Sequence, residues 1–397
     1  MVTATRRWQY LVIGSLVAAF AVLLAACGSA NVAKQPRKAS NQAIVQAAKQ
    51  EVQAASHPHP TFDWITQPAK PPAGKKIEVL SCSQATTACS SIAAVAAQAA
   101  RDVGWKATIC DGKASPSAEN ACIEEAIAEG DNGILLDAID QSYISSSLAN
   151  AEAKGIKVAS IWENNVPGGR GTVQADMYLA PKVQAKLTAD YLIAATDGHA
   201  KVLYLESPEF PTMYDQVPEV KKQLGKCSGC SIVATSIVNY ATVTTQLAPT
   251  VSGILASHPQ INYIIEPFSD ISPFVAQGIT TSGRSGKVKI FSQACQPPGN
   301  VQIEKGGPTV ACLALPQPAG GWYGVDLLIR LFDHLPVPLP NSKSLPYFNN
   351  TRGLPVMLAD KSNIGEVTSG PYGFWSGDIN FKAHFYKLWG LTGSSVK

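Results

Sequence analysis

The sequence carries no Gly-x-Ser-x-Gly elbow and no His-Glu-x-x-His pair. The first would set a serine nucleophile on a strand-to-helix turn, and the second would hold zinc on one helix face. Histidine is scarce and scattered: His57, His59, His199, His258, His334 and His384 form no local cluster. His57 and His59 alternate with prolines and have no cysteine or acid beside them, which fits a linker better than a metal site. Neither an enzyme nor a bound metal or cofactor is expected. Charge is sparse as well. Asp, Glu, Lys and Arg make up 15% of the chain and its net charge is +3, with no basic stripe for nucleic acid and no acidic tail for a basic partner. Beyond the N-terminal apolar run, no stretch is long enough to cross a bilayer.

That run is the first positive feature. Arg6 and Arg7 precede it, and no charged residue follows until Lys34. It closes on Leu24-Ala25-Ala26-Cys27. A basic start, a short apolar stretch and small residues before a break make an export signal. The last four residues resemble the bacterial lipobox, which implies that Cys27 is acylated and begins the mature chain. A transmembrane anchor with an incidental cysteine is the competing reading. The expectation is a signal over residues 1–26, a lipid anchor at the outer face of the cytoplasmic membrane, and a tether over residues 27–74. Within the tether, Ala43 to Ala55 reads as a weak helix, and the prolines from Pro58 to Pro72 read as extended chain.

Nine cysteines less Cys27 leave eight, an even number in an exported chain, which reads as a disulfide framework. Nearness along the chain favours Cys82 with Cys89, Cys110 with Cys122, Cys227 with Cys230, and Cys295 with Cys312. Cys227-Ser228-Gly229-Cys230 has the spacing of a redox motif or half a metal site. A redox pair should open a helix, whereas the strand-like run Ser231 to Val238 follows here, so a structural bond is favoured.

From Lys75 short apolar runs alternate with helical periods. Ile77 to Leu80, Lys106 to Cys110, Gly133 to Leu136 and Lys157 to Ile161 read as strands, separated by helices that stop at Gly104, Gly130 and near Gly155. The rhythm begins again with strands at Lys201 to Leu205, Ser231 to Val238, Asn262 to Ile265, Val288 to Phe291 and Thr309 to Leu313. Continuous apolar strands between helices predict an α/β fold, with two doubly wound parallel-sheet lobes. Ligands of such sheets sit at the carboxyl ends of the strands. Gly321 to His334 reads as one more long helix, and Pro355 to Ala359 as a late strand. Residues 362–397 are rich in aromatics and are expected to pack on the body.

Several segments resemble type I periplasmic binding proteins of the ribose-binding kind. They are Lys76 to Leu80, Gly130 to Asp137, Ala151 to Val158 and Ser257 to Ile264, in that family's order and spacing. The resemblance implies a three-segment hinge near Val173-Gln174-Ala175, Leu315-Pro316-Gln317 and Leu354 to Ala359. Lobe 1 would then hold residues 75–173 plus about 317–354, and lobe 2 residues 174–316 plus about 355–361. It further implies a monomer that closes on a small solute and delivers it to an ABC import permease. A sensor read by a membrane receptor is the alternative, as is a binder of a non-sugar aromatic or nucleoside-like solute.

The sugar-gripping pattern of that family is largely absent. Sugar binders of this kind place aromatics just after the first strand, where this chain has Ala88-Cys89. The family's Asp-Arg after the fourth strand is Trp162-Glu163 here. Its second-lobe arginine falls around Tyr214 to Gln216, its Asn at Phe268, and its Asp near Gln293-Ala294. The expected ligand-binding set is therefore Ser83, Gln84, Asp137, Trp162, Glu163, Asp176, Tyr214, Tyr240, Phe268, Asp270 and Gln293. No arginine falls among these positions, so a neutral or cationic ligand with apolar faces is expected rather than an anion.

Overall fold

The computed structural model describes residues 40–62, 64–177, 179, 181–337 and 354–391. The proposed signal, the lipobox with Cys27 and most of the proline-rich loop after residue 337 lie outside the described residues.

One sheet is built from β1 (Lys76–Ser81), β2 (Lys106–Asp111), β3 (Gly133–Asp137), β4 (Lys157–Ile161) and β5 (Ala175–Met177), in the order β2-β1-β3-β4-β5, all parallel. The other uses β6 (Lys201–Glu206), β7 (Ser231–Ile237), β8 (Tyr263–Glu266), β9 (Lys289–Ser292), β10 (Thr309–Ala314) and β11 (Met357–Asp360), in the order β11-β10-β9-β8-β6-β7. Only its edge strand β11 runs antiparallel, against β10. Alternate residues of the central strands are buried on opposite faces. Val79 and Leu135 pack with the helix Thr87–Asp102, while Leu80 and Leu136 pack with Ile123 and Leu148. In the second lobe Val202 and Tyr204 join Leu192, while Leu203 and Leu205 join Val251 and Val275. Burial on both faces is why these strands read as unbroken apolar runs.

One polar device recurs in both lobes. Asn132, just before β3, accepts from Lys76 N–H through its side chain (2.9 Å), while its own N–H donates to Lys76 C=O (2.7 Å). Asn262, before β8, does the same with Lys201 (2.8 and 2.9 Å). Each asparagine sets the start and register of two neighbouring strands. The helix before β2 ends in Gly104 at φ +81°, a left-handed value that a residue with a Cβ adopts at a cost.

The helix Gly320–Phe332 lies in the first lobe although it follows second-lobe strands. Small residues let it sit close: a Cβ at Gly321 would come within 2.4 Å of Ala96 N, and one at Gly324 within 2.6 Å of Leu135. Four disulfides pair Cys82–Cys89, Cys110–Cys122, Cys227–Cys230 and Cys295–Cys312. Each closes a stretch inside one lobe.

Two expectations need correction. The sheet pairing of Ala175–Met177 with β4 keeps residues 175–177 in the first lobe, so the chain leaves that lobe after Met177 rather than at residue 174. And the tether is folded from Ser40 onward. Ser40 caps the helix Asn41–Ser56, whose Val45 and Ala48 bury against Ala185 and Leu192 of the second lobe. The chain then crosses over, and Trp64, Ile65 and Ala69 bury in the first-lobe core. The helix forms because Ile44, Val45, Ala48, Val52 and Ala55 line one face, and that face has a lobe to bury against.

The C-terminal extension makes the same crossing, from the second lobe to the first. Trp375 buries beside Cys295 and Cys312 of the second lobe, and the helix Phe381–Leu388 buries Phe385 in the first. The two terminal segments meet: Ala69 N–H donates to Leu388 C=O (3.0 Å), and Phe62 stacks on His384. At their junction, the buried Asp326 accepts from Trp64 Nε1 (2.7 Å), Trp389 Nε1 (2.9 Å) and Arg330 Nε (2.7 Å). Among the described residues no helix is long and apolar enough to cross a membrane.

Candidate functional site

The carboxyl ends of β1, β3 and β4 carry the first wall of the site. Asp137 ends β3 and is fully buried, with no hydrogen-bond partner on either carboxylate oxygen. Burial pushes its carboxyl well above the ordinary range. It lies beside the sulfurs of Cys82 and Cys89, which are bonded to each other and so offer no thiolate to a metal. Glu163 follows β4, is 1% exposed, and also has two oxygens without a partner. Burial raises it strongly, and repulsion from Asp140, Asp176, Glu119 and Asp137 raises it further. Asp176 on β5 accepts from Ser160 Oγ, yet burial still pushes it up to about 8. Glu119 stands at about 7, raised by burial and by Asp140.

The second wall is aromatic. Phe210 follows β6, Tyr240 follows β7 and Phe268 follows β8. Their ring centroids lie 5.1 Å (Phe210–Tyr240), 5.2 Å (Phe210–Phe268) and 6.2 Å (Tyr240–Phe268) apart, with interplanar angles of 80°, 83° and 79°. The rings thus stand mutually edge to face, as the walls of a corner do. Asp270 and Glu266 lie close to Tyr240 and help hold its hydroxyl protonated, after the larger effect of burial. Burial raises Asp270 to about 6. Asn164, next to Glu163 in the first lobe, lies beside Asp215 of the second.

The expected residues therefore divide. Asp137, Glu163 and Asp176 come together in one electrostatic group, and Tyr240, Phe268 and Asp270 in another. Trp162 packs with the first-lobe core and is 8% exposed. Its backbone turns through φ +71°, and Nε1 lies against Gly320 with no hydrogen-bond partner among the described residues. Gln293 is engaged elsewhere, donating to Gln216 (2.9 Å) and accepting from the Tyr204 hydroxyl (3.3 Å). The Ser83 hydroxyl accepts from Ala85 N–H in its own loop. Gln84 and Tyr214 are exposed, and the Gln84 N–H donates to Asp111. Phe210, Glu119, Asp140 and Glu266 were not anticipated. Phe210 alone had a usable signal, an aromatic a few residues after an apolar strand.

Two parallel-sheet lobes, with buried polar groups gathered at the strand ends of both, define a two-lobe binding protein of the type I periplasmic fold. The model of the family described as "Periplasmic binding protein domain" matches residues 77–335, and the chain belongs to that family. Solved structures agree on the fold. One is an ABC transporter solute-binding protein from Agrobacterium vitis with bound allitol (TM-score 0.60, 16% identity, 74% of this chain and 98% of that one). Another is a Caulobacter myo-inositol binding protein (0.60, 16%, 73% and 95%). A third is the substrate-binding protein of a sugar ABC transport system from Bordetella parapertussis 12822 (0.62, 17%, 82% and 97%).

Proposed function

We propose that this chain captures a small polar solute between its lobes, outside the cytoplasm, and presents it to an ABC import permease. The observation that carries this is the pair Asp137 and Glu163: four carboxylate oxygens, buried and without hydrogen-bond partners among the described residues. Leaving such groups empty costs about 1–3 kcal/mol each, more when they are charged. They are therefore sites for donors from a bound molecule. Family membership supports the binding role, and the sugar and polyol ligands named for the structural relatives suggest a polyhydroxylated solute. The Leu24-Ala25-Ala26-Cys27 motif supports tethering by lipid, with the protein acting as a monomer near its permease.

The test is a thermal-shift screen of sugars, polyols, aminated sugars and nucleosides, followed by calorimetry. A ligand at about 100 times its Kd stabilises the folded state by about 2.7 kcal/mol. Trp162→Ala should weaken binding of any such ligand by freeing the loop that carries Glu163. A flat screen across all four classes would sink the solute-binding proposal.

A further inference from the structure

We propose that the cleft takes an organic cation: a small molecule bearing a protonated amine or guanidinium, gripped by first-lobe carboxylates and covered by the aromatic corner of the second lobe. This rests on the solute-binding reading and narrows it.

The first wall carries acids that no donor among the described residues satisfies. Asp137 and Glu163 present four oxygens with no donor facing them. No lysine or arginine forms an ion pair with either among the described residues. The cations that pair do so elsewhere, among them Lys76 with Glu129 and Asp131, Lys221 with Glu206, and Arg330 with Asp326. Asp140, Asp176 and Glu119 add to the negative field at Glu163. A hydroxyl from a neutral polyol supplies one donor per contact and leaves the acids in the protonated state that burial and mutual repulsion favour, whereas a cation favours their ionised form. An ammonium supplies three donors, or a guanidinium five, and also cancels charge.

The second wall points the same way on separate grounds. Phe210, Tyr240 and Phe268 stand mutually edge to face at the ends of adjacent strands. Faces of aromatic rings attract cations, and the attraction grows when water is excluded. Among the described residues no lysine lies over these faces; the cation–ring contacts involve Phe332 and Tyr386. Glu209 anchors Tyr240 by accepting its N–H (2.8 Å), and Asp270 and Glu266 lie nearby. Arg284 of the second lobe donates through Nη2 to the Ile261 carbonyl (2.9 Å), just before the start of β8 rather than at its carboxyl end. An anion would be repelled by both walls. A neutral ring would satisfy the aromatic wall and leave the acidic wall uncompensated.

The experiment is calorimetry on the full folded protein with matched probes: D-glucosamine against D-glucose and N-acetyl-D-glucosamine, and agmatine and putrescine against 1,4-butanediol. The amine of at least one set should bind about tenfold or more tighter than its neutral counterparts. Asp137→Asn and Glu163→Gln should each cut that amine's affinity by about tenfold, and by more than they cut any neutral probe. Phe268→Leu should weaken it from the other wall. Circular dichroism and melting curves check that each variant folds. Glu163→Gln should melt no lower than the parent at pH 8, since it removes a buried acid that no group among the described residues satisfies. Neutral probes binding as tightly as the amines would overturn the cation proposal and leave solute binding intact. Silence from every probe, in this set and in the screen above, would remove the solute-binding reading and this proposal with it.

Discussion

Replacing Asp326 with alanine should be among the most damaging single changes outside the cleft. Asp326 and Arg330 are both fully buried and face each other one helical turn apart, at 2.7 Å. The same carboxylate also receives the indole N–H groups of Trp64 and Trp389. It joins the N-terminal crossing, the C-terminal helix and the helix Gly320–Phe332. In Asp326→Ala the Arg330 guanidinium keeps its bond to Gln67 C=O (2.9 Å) but loses its counter-charge. Breaking one side of a buried ion pair costs about 3–5 kcal/mol, and the two orphaned indole donors push toward the upper end. A folded body of roughly 330 residues unfolds with an entropy near 0.7 kcal/mol/K, so the melting temperature should fall by about 4–7 °C. Differential scanning calorimetry reads this directly. Adding Arg330→Met should recover part of the loss, because the uncompensated cation is then gone. A drop below about 1 kcal/mol, or a double variant no more stable than Asp326→Ala, would refute the reasoning.

Stability of the unliganded protein should decline from pH 5 to pH 8. Burial raises Asp176 and Glu78 to about 8, and Glu119 to about 7. A carboxyl that holds its proton more tightly folded than unfolded favours the folded chain below its unfolded value near 4, and that contribution is lost as pH rises through the folded value. Melting temperatures that are flat or rising across this window would contradict the assignment. Gly320→Ala places a Cβ 2.0 Å from Trp162 Nε1. The ring must move, so a loss of about 1–3 kcal/mol and a changed near-UV spectrum are expected; a parent-like spectrum and melting curve would show that the ring yields freely.

Much of the architecture was legible because it is written locally. Strands such as Ile77 to Leu80 and Gly133 to Leu136 are apolar on both faces, and glycines such as Gly104 and Gly130 stop the helices between them. The asparagines that start β1 and β3, or β6 and β8, look unremarkable in sequence, since their partners Lys76 and Lys201 lie dozens of residues away. The N-terminal segment was misjudged for a related reason. Its prolines suggest an extended chain, and its short amphipathic stretch is a marginal helix in isolation. Docking on the second lobe supplies the burial that stabilises it.

The site was half legible. Asp137, Glu163 and Asp176 follow from the rule that ligand groups sit at strand ends. Their mutual proximity does not follow, nor does the way Gln293 is consumed by Gln216 and Tyr204. Trp162 carries the right residue type at the right place, but only the packing shows its ring turned onto Gly320.

By itself the sequence determined the alternation of strands and helices, the doubling of the lobe, and the neighbourly cysteines that the structure pairs, because periodicity, helix stops and short loops act over a few residues. Only the tertiary structure decided that both termini cross between lobes and lock at Asp326, that the first-lobe acids gather at the strand ends, and that three second-lobe rings form a corner. Those features join residues as distant in sequence as Phe62 and His384, 322 positions apart, and no local pattern encodes which distant burial a side chain will find.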